Sequence, residues 1–418
     1  MDASTANGLI WGIAILTAAA VVIRPFGWPE AVWAAVGAVL VVALGLLPSP
    51  LALEALGKGT DVYLFLLGMM LLSEVARREG VFDWIAETAV AQAQNSPRRL
   101  FLLIYAVGVI VTAIMSNDAT AVVLTPAVFA VAKRARLEPL PYLFICAFVA
   151  NAASFVLPIS NPANIVLYGG QTPPLLSWLA SFALPSAVSI LATYFVLRWV
   201  MRNALPPRFE STPGKHVLSA GGRAAVIGIV VTAATLVAVS ALDLRLGLPT
   251  AILGVLTALF VLIRKREMPL PLLGGVAWSV ILLVGGLFVL VEAIQQTGAI
   301  AAIAAALSGL TAESEKLAAS VAGAGIALTS NVFNNLPVGL VAAATIETAR
   351  PPQSVVDALL IGVDLGPNLS VSGSLATILW LLAIRREGED VGYWRFLRVG
   401  VLVTPPALIL AIGVRLLF

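Results

Sequence analysis

The sequence predicts an all-α, polytopic membrane protein: two inverted repeats of about five spans each, with one re-entrant helical hairpin per repeat. Three observations lead there: an apolar composition, an ordered self-similarity between the halves, and basic residues gathered at alternate span ends. Of 418 residues, 60% are hydrophobic and 11% charged, with a mean hydropathy of +0.99. An ordinary soluble domain carries about 25% charged residues. A spanning helix needs about 20 mostly apolar residues, and runs at 9–23, 31–47, 63–75, 178–200, 224–242, 251–263, 276–294 and 396–418 meet or approach that length. Strand-period alternation between turns, the mark of an outer-membrane barrel, is missing, which leaves helices to satisfy the backbone in lipid.

Net charge is +3 and the isoelectric point is near 9.2. The Lys and Arg residues lie in short loops at span ends rather than on one face, so they read as topogenic charge and not as a nucleic-acid footprint. The single cysteine, Cys146, sits in an apolar run; it permits no intrachain disulfide and no thiolate cage for a soft metal, and is expected to be a buried core thiol. The single histidine, His216, lies in the polar segment 206–222 with Arg208, Glu210 and Lys215 and reads as a solvated linker residue. The N-terminus has no positive n-region and no small-residue cleavage site, so the first apolar run is expected to be a retained helix.

Sliding the sequence against itself pairs Gly68 and Glu74 with Gly286 and Glu292 at an offset of 218, Ser116 and Asn117 with Ser330 and Asn331 at 214, and Ala163 and Ile165 with Ala376 and Ile378 at 213. The preserved order and slow drift are those of two copies with small deletions. Repeat one is then 1–205: three spans, a cytoplasmic-side hairpin near 99–133, a broken span near 141–170 and a last span at 175–201. A cytoplasmic linker at 206–222 follows. Repeat two is 223–418: three spans, an outer-side hairpin near 315–348, a broken span near 355–385 and a last span at 394–418.

An odd number of crossings per copy reverses the second copy in the membrane, the inverted arrangement common among secondary transporters. Arg77, Arg78, Arg98, Arg99, Lys133, Arg134, Arg136, the 198–223 linker region, Arg264 to Arg266, Arg385 and Arg386 are all cytoplasmic in that topology. The first hairpin, flanked by Arg98, Arg99 and Lys133 to Arg136, therefore enters from inside. The second, flanked by Glu313, Glu315 and Glu347 with only Lys316 and Arg350, enters from outside, and both chain termini fall on the outer side.

Four polar clusters interrupt the apolar runs, in matched pairs. Ser116-Asn117-Asp118-Ala119-Thr120 and 330–335 (SNVFNN) mark the hairpin tips. Each such residue exposed to lipid costs several kcal/mol, roughly, whereas a buried tip presents backbone groups and half-helix dipoles to a polar solute. Their flanks, 100–115 and 121–131 in the first copy, look short for spans, which favours re-entrant hairpins over extramembrane turns. The second pair, 157–164 (LPISNPAN) and 364–374 (DLGPNLSVSGS), mixes Pro and Gly with Asn and Ser, so the helix must open there. Asn151 and Asp364 align just before the two breaks. Short apolar segments broken at matching places in both halves are the best sequence pointer to a binding site.

The carboxylates within apolar parts are Glu74, Asp118, Glu292 and Asp364. Intramembrane acids serve as proton carriers or cation ligands; Asp118 and Asp364, in or beside breaks, are the choices, while Glu74 and Glu292 sit near span ends. No Ser/His/Asp set, Walker loop, HExxH or Cys/His metal spacing appears, so neither catalysis nor a metal or other cofactor is expected.

At these clusters the sequence resembles the arsenite/antimonite efflux pump family (arsenical pump membrane proteins) of the ion-transporter superfamily. The matching stretches are 116–126 (SNDATAVVLTP), 330–337 (SNVFNNLP) and 364–380 (DLGPNLSVSGSLATILW), with a looser match over 154–166. The resemblance implies a fold with scaffold and mobile transport parts, in a bacterial inner membrane. It also implies export of trivalent arsenic or antimony as the neutral trihydroxide and proton-coupled exchange. The substrate-facing positions it implies are Asn117, Asp118, Asn161, Asn164, Asn331, Asn335, Asp364 and Ser372, with Asp118 and Asp364 coupling the proton. Partners are arsenite or antimonite, protons and the lipid bilayer; whether a cytoplasmic arsenite-stimulated ATPase docks on the loops stays open, and nucleic acid is not among them. Two positions depart from the pattern: Asn151 stands where the pumps are expected to carry an acid, and Asn368 replaces a lysine expected after Gly366-Pro367. The alternative is a sodium-coupled carrier of an organic or inorganic anion on the same fold, since half-helix N-termini attract anions. Against it stands the scarcity of Lys and Arg at the clusters. A membrane enzyme or passive channel has the least support.

Overall fold

The computed structural model describes residues 2–169, 172–209 and 217–418; His216 and the centre of the expected linker lie outside them. Among the described residues the secondary structure is helical throughout, without a strand. The first half holds α1 (Ala3–Ile23), α2 (Glu30–Ala43), α3 (Ser49–Lys58), α4 (Thr60–Arg78), α5 (Val81–Gln92), α6 (Pro97–Ile114), the single turn α7 (Asn117–Ala119), α8 (Thr125–Arg134), α9 (Leu140–Ala152), α10 (Pro162–Leu167) and α11 (Leu175–Met201). The second holds α12 (Ala220–Ala241), α13 (Gly247–Lys265), α14 (Pro269–Gly275), α15 (Trp278–Gln296), α16 (Ala299–Glu313), α17 (Glu315–Phe333), α18 (Asn335–Ala349), α19 (Gln353–Leu365), α20 (Leu375–Arg386) and α21 (Tyr393–Arg415). Eight of these helices are long and apolar enough to cross a bilayer, or nine if α3 and α4, bent by 47°, count as one span.

The two halves interlock through glycine. Gly68 on α4 faces α13, where an added Cβ would lie 2.7 Å from the amide of Ala251. Gly286 on α15 faces α2, where a Cβ would lie 2.7 Å from the backbone of Ala34. Such distances are too short for any side chain, so the pair that the self-comparison matched at offset 218 does the same work in both halves. Each lets its helix press against a helix of the other half. Glu74 and Glu292, matched at the same offset, are ion-paired near helix ends: Glu74 with Arg77 at 2.6 Å and Glu292 with Lys58 at 2.9 Å.

The interrupted helices are innermost. Each of the 13 residues of α9 is buried, as is every residue of α10, and α19 is buried from Val355 onward. Opened backbone is tolerated at membrane depth only where protein covers it, and here α6, α8, α11, α17, α18 and α21 pack around it. Cys146 lies fully buried in α9, the expected core thiol.

Polar contacts tie the helix ends into two groups. In one, Lys265 at the end of α13 pairs with Glu79 after α4 (2.6 Å), Lys133 on α8 with Glu389 after α20 (3.2 Å), and Arg134 on α8 with Glu87 on α5; the Phe209 amide donates to the Asn95 carbonyl (3.2 Å). In the other, Lys58 meets Glu292, Ser354 in the first turn of α19 meets Glu315 at the start of α17, and Arg415 at the end of α21 meets the fully buried Asp357 of α19 at 2.6 Å, where Tyr168 also donates at 3.3 Å.

The hairpin arms are longer than their flanks suggested. Helix α6 has 18 residues and α17 has 19, each long and apolar enough to span. The apolar run begins at Leu100, but Pro97 starts α6 at the position where a missing N–H costs nothing, and Ser96 caps the Arg99 amide. Length therefore does not separate a re-entrant arm from a crossing.

Candidate functional site

Between the hairpins and the breaks lies a narrow cavity lined by Asn117 and Asp118 of the first tip, Asn335 and Leu336 of the second, and Asn161 with Pro162 at the start of α10. Leu375 and Ala376 at the start of α20, Leu66 of α4 and Val280 of α15 close it. It has room for about one water molecule.

Local sequence dictates each contribution. At the first tip Ser116 accepts from the Ala119 amide (3.3 Å) and starts the short turn α7. A π-helical turn over Thr120–Leu124 follows, because Pro126 has no N–H to continue the regular ladder. Thr120 and Thr112 hydroxyls hydrogen-bond at 2.8 Å across the two arms. At the second tip Asn334 takes φ 71°, ψ 151°, a conformation that suits glycine and costs other residues about 1–3 kcal/mol. Its side chain accepts from the Leu336 amide at 3.3 Å and so begins α18.

This geometry shifts the register of the second tip. The sequence match set Ser330-Asn331 against Ser116-Asn117, but Ser330 and Asn331 still lie in the last turns of α17, with the Ser330 hydroxyl donating to the Ile326 carbonyl at 2.8 Å. The residues that cap and open the return helix are Asn334 and Asn335, one turn later, at the offset of 218 that also relates Gly68 to Gly286.

Two crossed hydrogen bonds join the breaks. Asn161, capping α10, donates to Asp364 Oδ1 at 2.6 Å, and Ser374, capping α20, donates to Asn151 Oδ1 at 3.3 Å. In each, the residue before one break holds the cap after the other. The two positions that depart from the pump pattern also meet: Asn151 Nδ2 donates to Asn368 Oδ1 at 3.0 Å, and Asn368 Nδ2 to the Phe148 carbonyl at 3.0 Å. They form a neutral pair that satisfies both amides in the core.

Of the eight residues singled out from sequence, Asn117, Asp118, Asn161 and Asn335 line the cavity. Asp364 stands directly behind Asn161, fully buried, its Oδ2 without a partner among the described residues. Asn164 braces the first break through the Ser154 carbonyl (2.8 Å) and leaves its Oδ1 unpartnered. Asn331 and Ser372 do not reach the cavity. Asn331 donates to the Ala327 and Gly366 carbonyls (2.7 and 2.9 Å) and accepts from Ser370 (2.8 Å), while Ser372 donates to the Asn331 carbonyl (3.0 Å), so both clamp the second tip to the second break. Gly373 makes that clamp possible, since a Cβ there would sit 2.5 Å from Pro367 Cα. The lining residues missed from sequence, Leu66, Val280, Leu336, Leu375 and Ala376, are aliphatic side chains that nothing distinguishes from their lipid-facing neighbours.

Asn117 Oδ1 and Asn335 Oδ1, one from each tip, are buried and unpartnered among the described residues. Whichever way each amide is turned, one polar atom is left for a ligand. Hairpin tips and broken helices that bring Asn and Asp side chains to a narrow cavity, inside a shell of apolar helices, are the parts of a membrane transporter, and the chain is a multi-pass membrane protein of that class. It belongs to the citrate transporter (CitMHS) family, whose model matches residues 10–365. Among its relatives are arsenical pump membrane proteins of Escherichia coli, one 27% identical with 97% of both chains covered, and that of strain K12, 27% identical over 98% of this chain and 99% of the relative. An uncharacterized transporter of Mycobacterium tuberculosis is 28% identical over 84% of each chain. These bacterial sources accord with an inner-membrane location. Two solved structures share the fold at 14% identity: the YdaH transporter of Alcanivorax borkumensis, with a TM-score of 0.57 over 87% of this chain and 86% of that one, and Neisseria gonorrhoeae MtrF, described as one of a class of antimetabolite efflux pumps, with 0.54 over 88% and 83%.

Proposed function

We propose that this transporter exports trivalent arsenic or antimony as neutral trihydroxides by proton antiport with alternating access. The observation that carries the reading is the cavity lining. Asn117 and Asn335 each offer an unpartnered buried polar atom, Asp118 stands beside them, and neither lysine nor arginine is among the lining residues. A trihydroxide brings hydroxyl donors and acceptors without charge, which amides and a carboxyl match and a cationic pocket would not improve. The arsenical pump relatives support the same substrate.

In this reading Asn117, Asn161 and Asn335 orient the hydroxyls, and Asp118 and Asp364 carry protons. Asp364 has one oxygen held by Asn161 and the other unpartnered among the described residues, a fixed position with a free site for the proton. A cavity with room for about one water must part to admit substrate. In this reading the hairpins enter from opposite sides, supported by their flanking charges: Arg98, Arg99 and Lys133 to Arg136 at the first, Glu313, Glu315 and Glu347 at the second. Alternate exposure then comes from rocking one set of helices against the other.

A sodium-coupled carrier of an organic or inorganic anion is the second reading. It rests on the starts of α18 and α20, which face the cavity with the positive ends of their dipoles, and on the family's description as citrate transporters. Arsenite uptake into everted membrane vesicles separates the two. On the first reading it follows the proton gradient and collapses with a protonophore; uptake that persists without any gradient refutes the coupling.

A further inference from the structure

Away from the central cavity, a groove of about 360 Å³ opens at the basic end of the molecule between the start of α6 and the end of α11, lined by Arg98, Phe195, Arg198, Trp199 and Arg202. Its construction is regular. On α6 the positions 98, 101 and 105 share one face, and on α11 so do 190, 194, 198 and 202. The two faces are zipped by aromatic rings: Tyr194 lies 6.1 Å from Phe101 and 5.1 Å from Tyr105, whose hydroxyl donates to the Ile190 carbonyl at 2.7 Å. Where the zipper ends, the arginines begin.

Among the described residues none of the three arginines has an acidic partner. Arg198 donates to the Tyr194 hydroxyl at 2.9 Å, and Arg202 lies 4.8 Å from the Trp199 ring and donates to its carbonyl at 3.4 Å. Arg98 sits in the first turn of α6, where the helix dipole repels a cation, so a nearby anion would relieve it. Phe195 and Trp199 are 61% and 57% exposed on the same groove. Large aromatic rings at a span end settle at headgroup level.

A cationic groove walled by exposed aromatic rings fits one occupant: an acidic phosphodiester with acyl chains attached. We propose that Arg98, Arg198 and Arg202 hold the headgroup of an anionic phospholipid while Phe195 and Trp199 lie along its glycerol and upper chains. The bound lipid clasps α6, the first arm of the first hairpin, to α11. It therefore sets how freely that arm moves, whatever the substrate.

The test uses the purified full-length chain in a neutral detergent, titrated with phosphatidylglycerol or phosphatidylcholine and read by native mass spectrometry. Phosphatidylglycerol is expected to bind in preference, with affinity falling about fivefold for each arginine replaced in Arg98→Gln, Arg198→Gln and Arg202→Gln. Equal binding of the two lipids, or unchanged phosphatidylglycerol binding in the triple variant, overturns the proposal. Should the triple variant fail to fold, Arg98→Gln, at an exposed position, decides by the same fivefold fall or its absence. Complete displacement of the lipid by inorganic phosphate would mark a site for a soluble anion and overturn the lipid assignment.

Discussion

Asn161 and Asp364 come from different halves of the chain, yet their hydrogen bond of 2.6 Å is among the shortest in the core. Replacing the carboxyl by an amide keeps the shape and leaves an oxygen to accept from Asn161, so Asp364→Asn is expected to cost about 1 kcal/mol of stability or less. It removes the titrating group. Transport driven by a pH gradient should fall to background while insertion and gel-filtration behaviour stay normal; full activity in the variant takes Asp364 out of the mechanism. At this scale the sequence was informative wherever a polar side chain stood in an apolar run. Asn117, Asp118, Asn161 and Asn335 were legible because a polar group in lipid needs a reason to be there. Asn331 and Ser372 carried the same signal for a different reason, since a clamp between two opened backbones needs polar side chains as much as a binding site does. Leu66 and Val280 could not be found, because an aliphatic wall of a cavity and an aliphatic wall facing lipid have the same composition.

Among the elements, the crossings of α4 on α13 and of α15 on α2 depend on the absence of a side chain at Gly68 and Gly286. Gly68→Leu forces backbone against backbone and is expected to destabilise by about 1–3 kcal/mol or more. Gly325→Ala on α17 meets nothing within 4 Å and should be neutral or stabilising by up to about 1 kcal/mol through helix propensity. Thermal unfolding of the two variants in detergent checks this, and equal melting temperatures would contradict it. The spans were legible from apolar length, and the breaks from Pro and Gly among Asn and Ser. Within the second tip, 330–335, the repeated Ser-Asn dipeptide pairs Ser330-Asn331 with Ser116-Asn117 one turn early, whereas the backbone turns at Asn334, whose strained φ leaves no mark in composition.

For the whole molecule, inverted repeats require the loops leading into the two hairpins to face opposite sides of the membrane. Ala91, on α5 before the first hairpin, and Ala312, on α16 before the second, are both exposed. The native Cys146 is buried, so it stays silent toward a membrane-impermeant thiol reagent. Ala91→Cys is expected to react only from the cytoplasmic side and Ala312→Cys only from outside, and labelling of both from one side would refute the inversion. The self-similarity and the basic span ends are the signs from which the sequence argues this proposed topology; the crossed bonds between the breaks left no sign, since they join residues more than 200 positions apart. The central claim, a neutral metalloid moved against protons, is tested most directly with purified protein in liposomes under an imposed pH gradient. Arsenite or antimonite is to be compared there with citrate plus sodium. Metalloid flux that follows the pH gradient and ignores sodium is the predicted result. Citrate flux driven by sodium, with no metalloid movement, would contradict it.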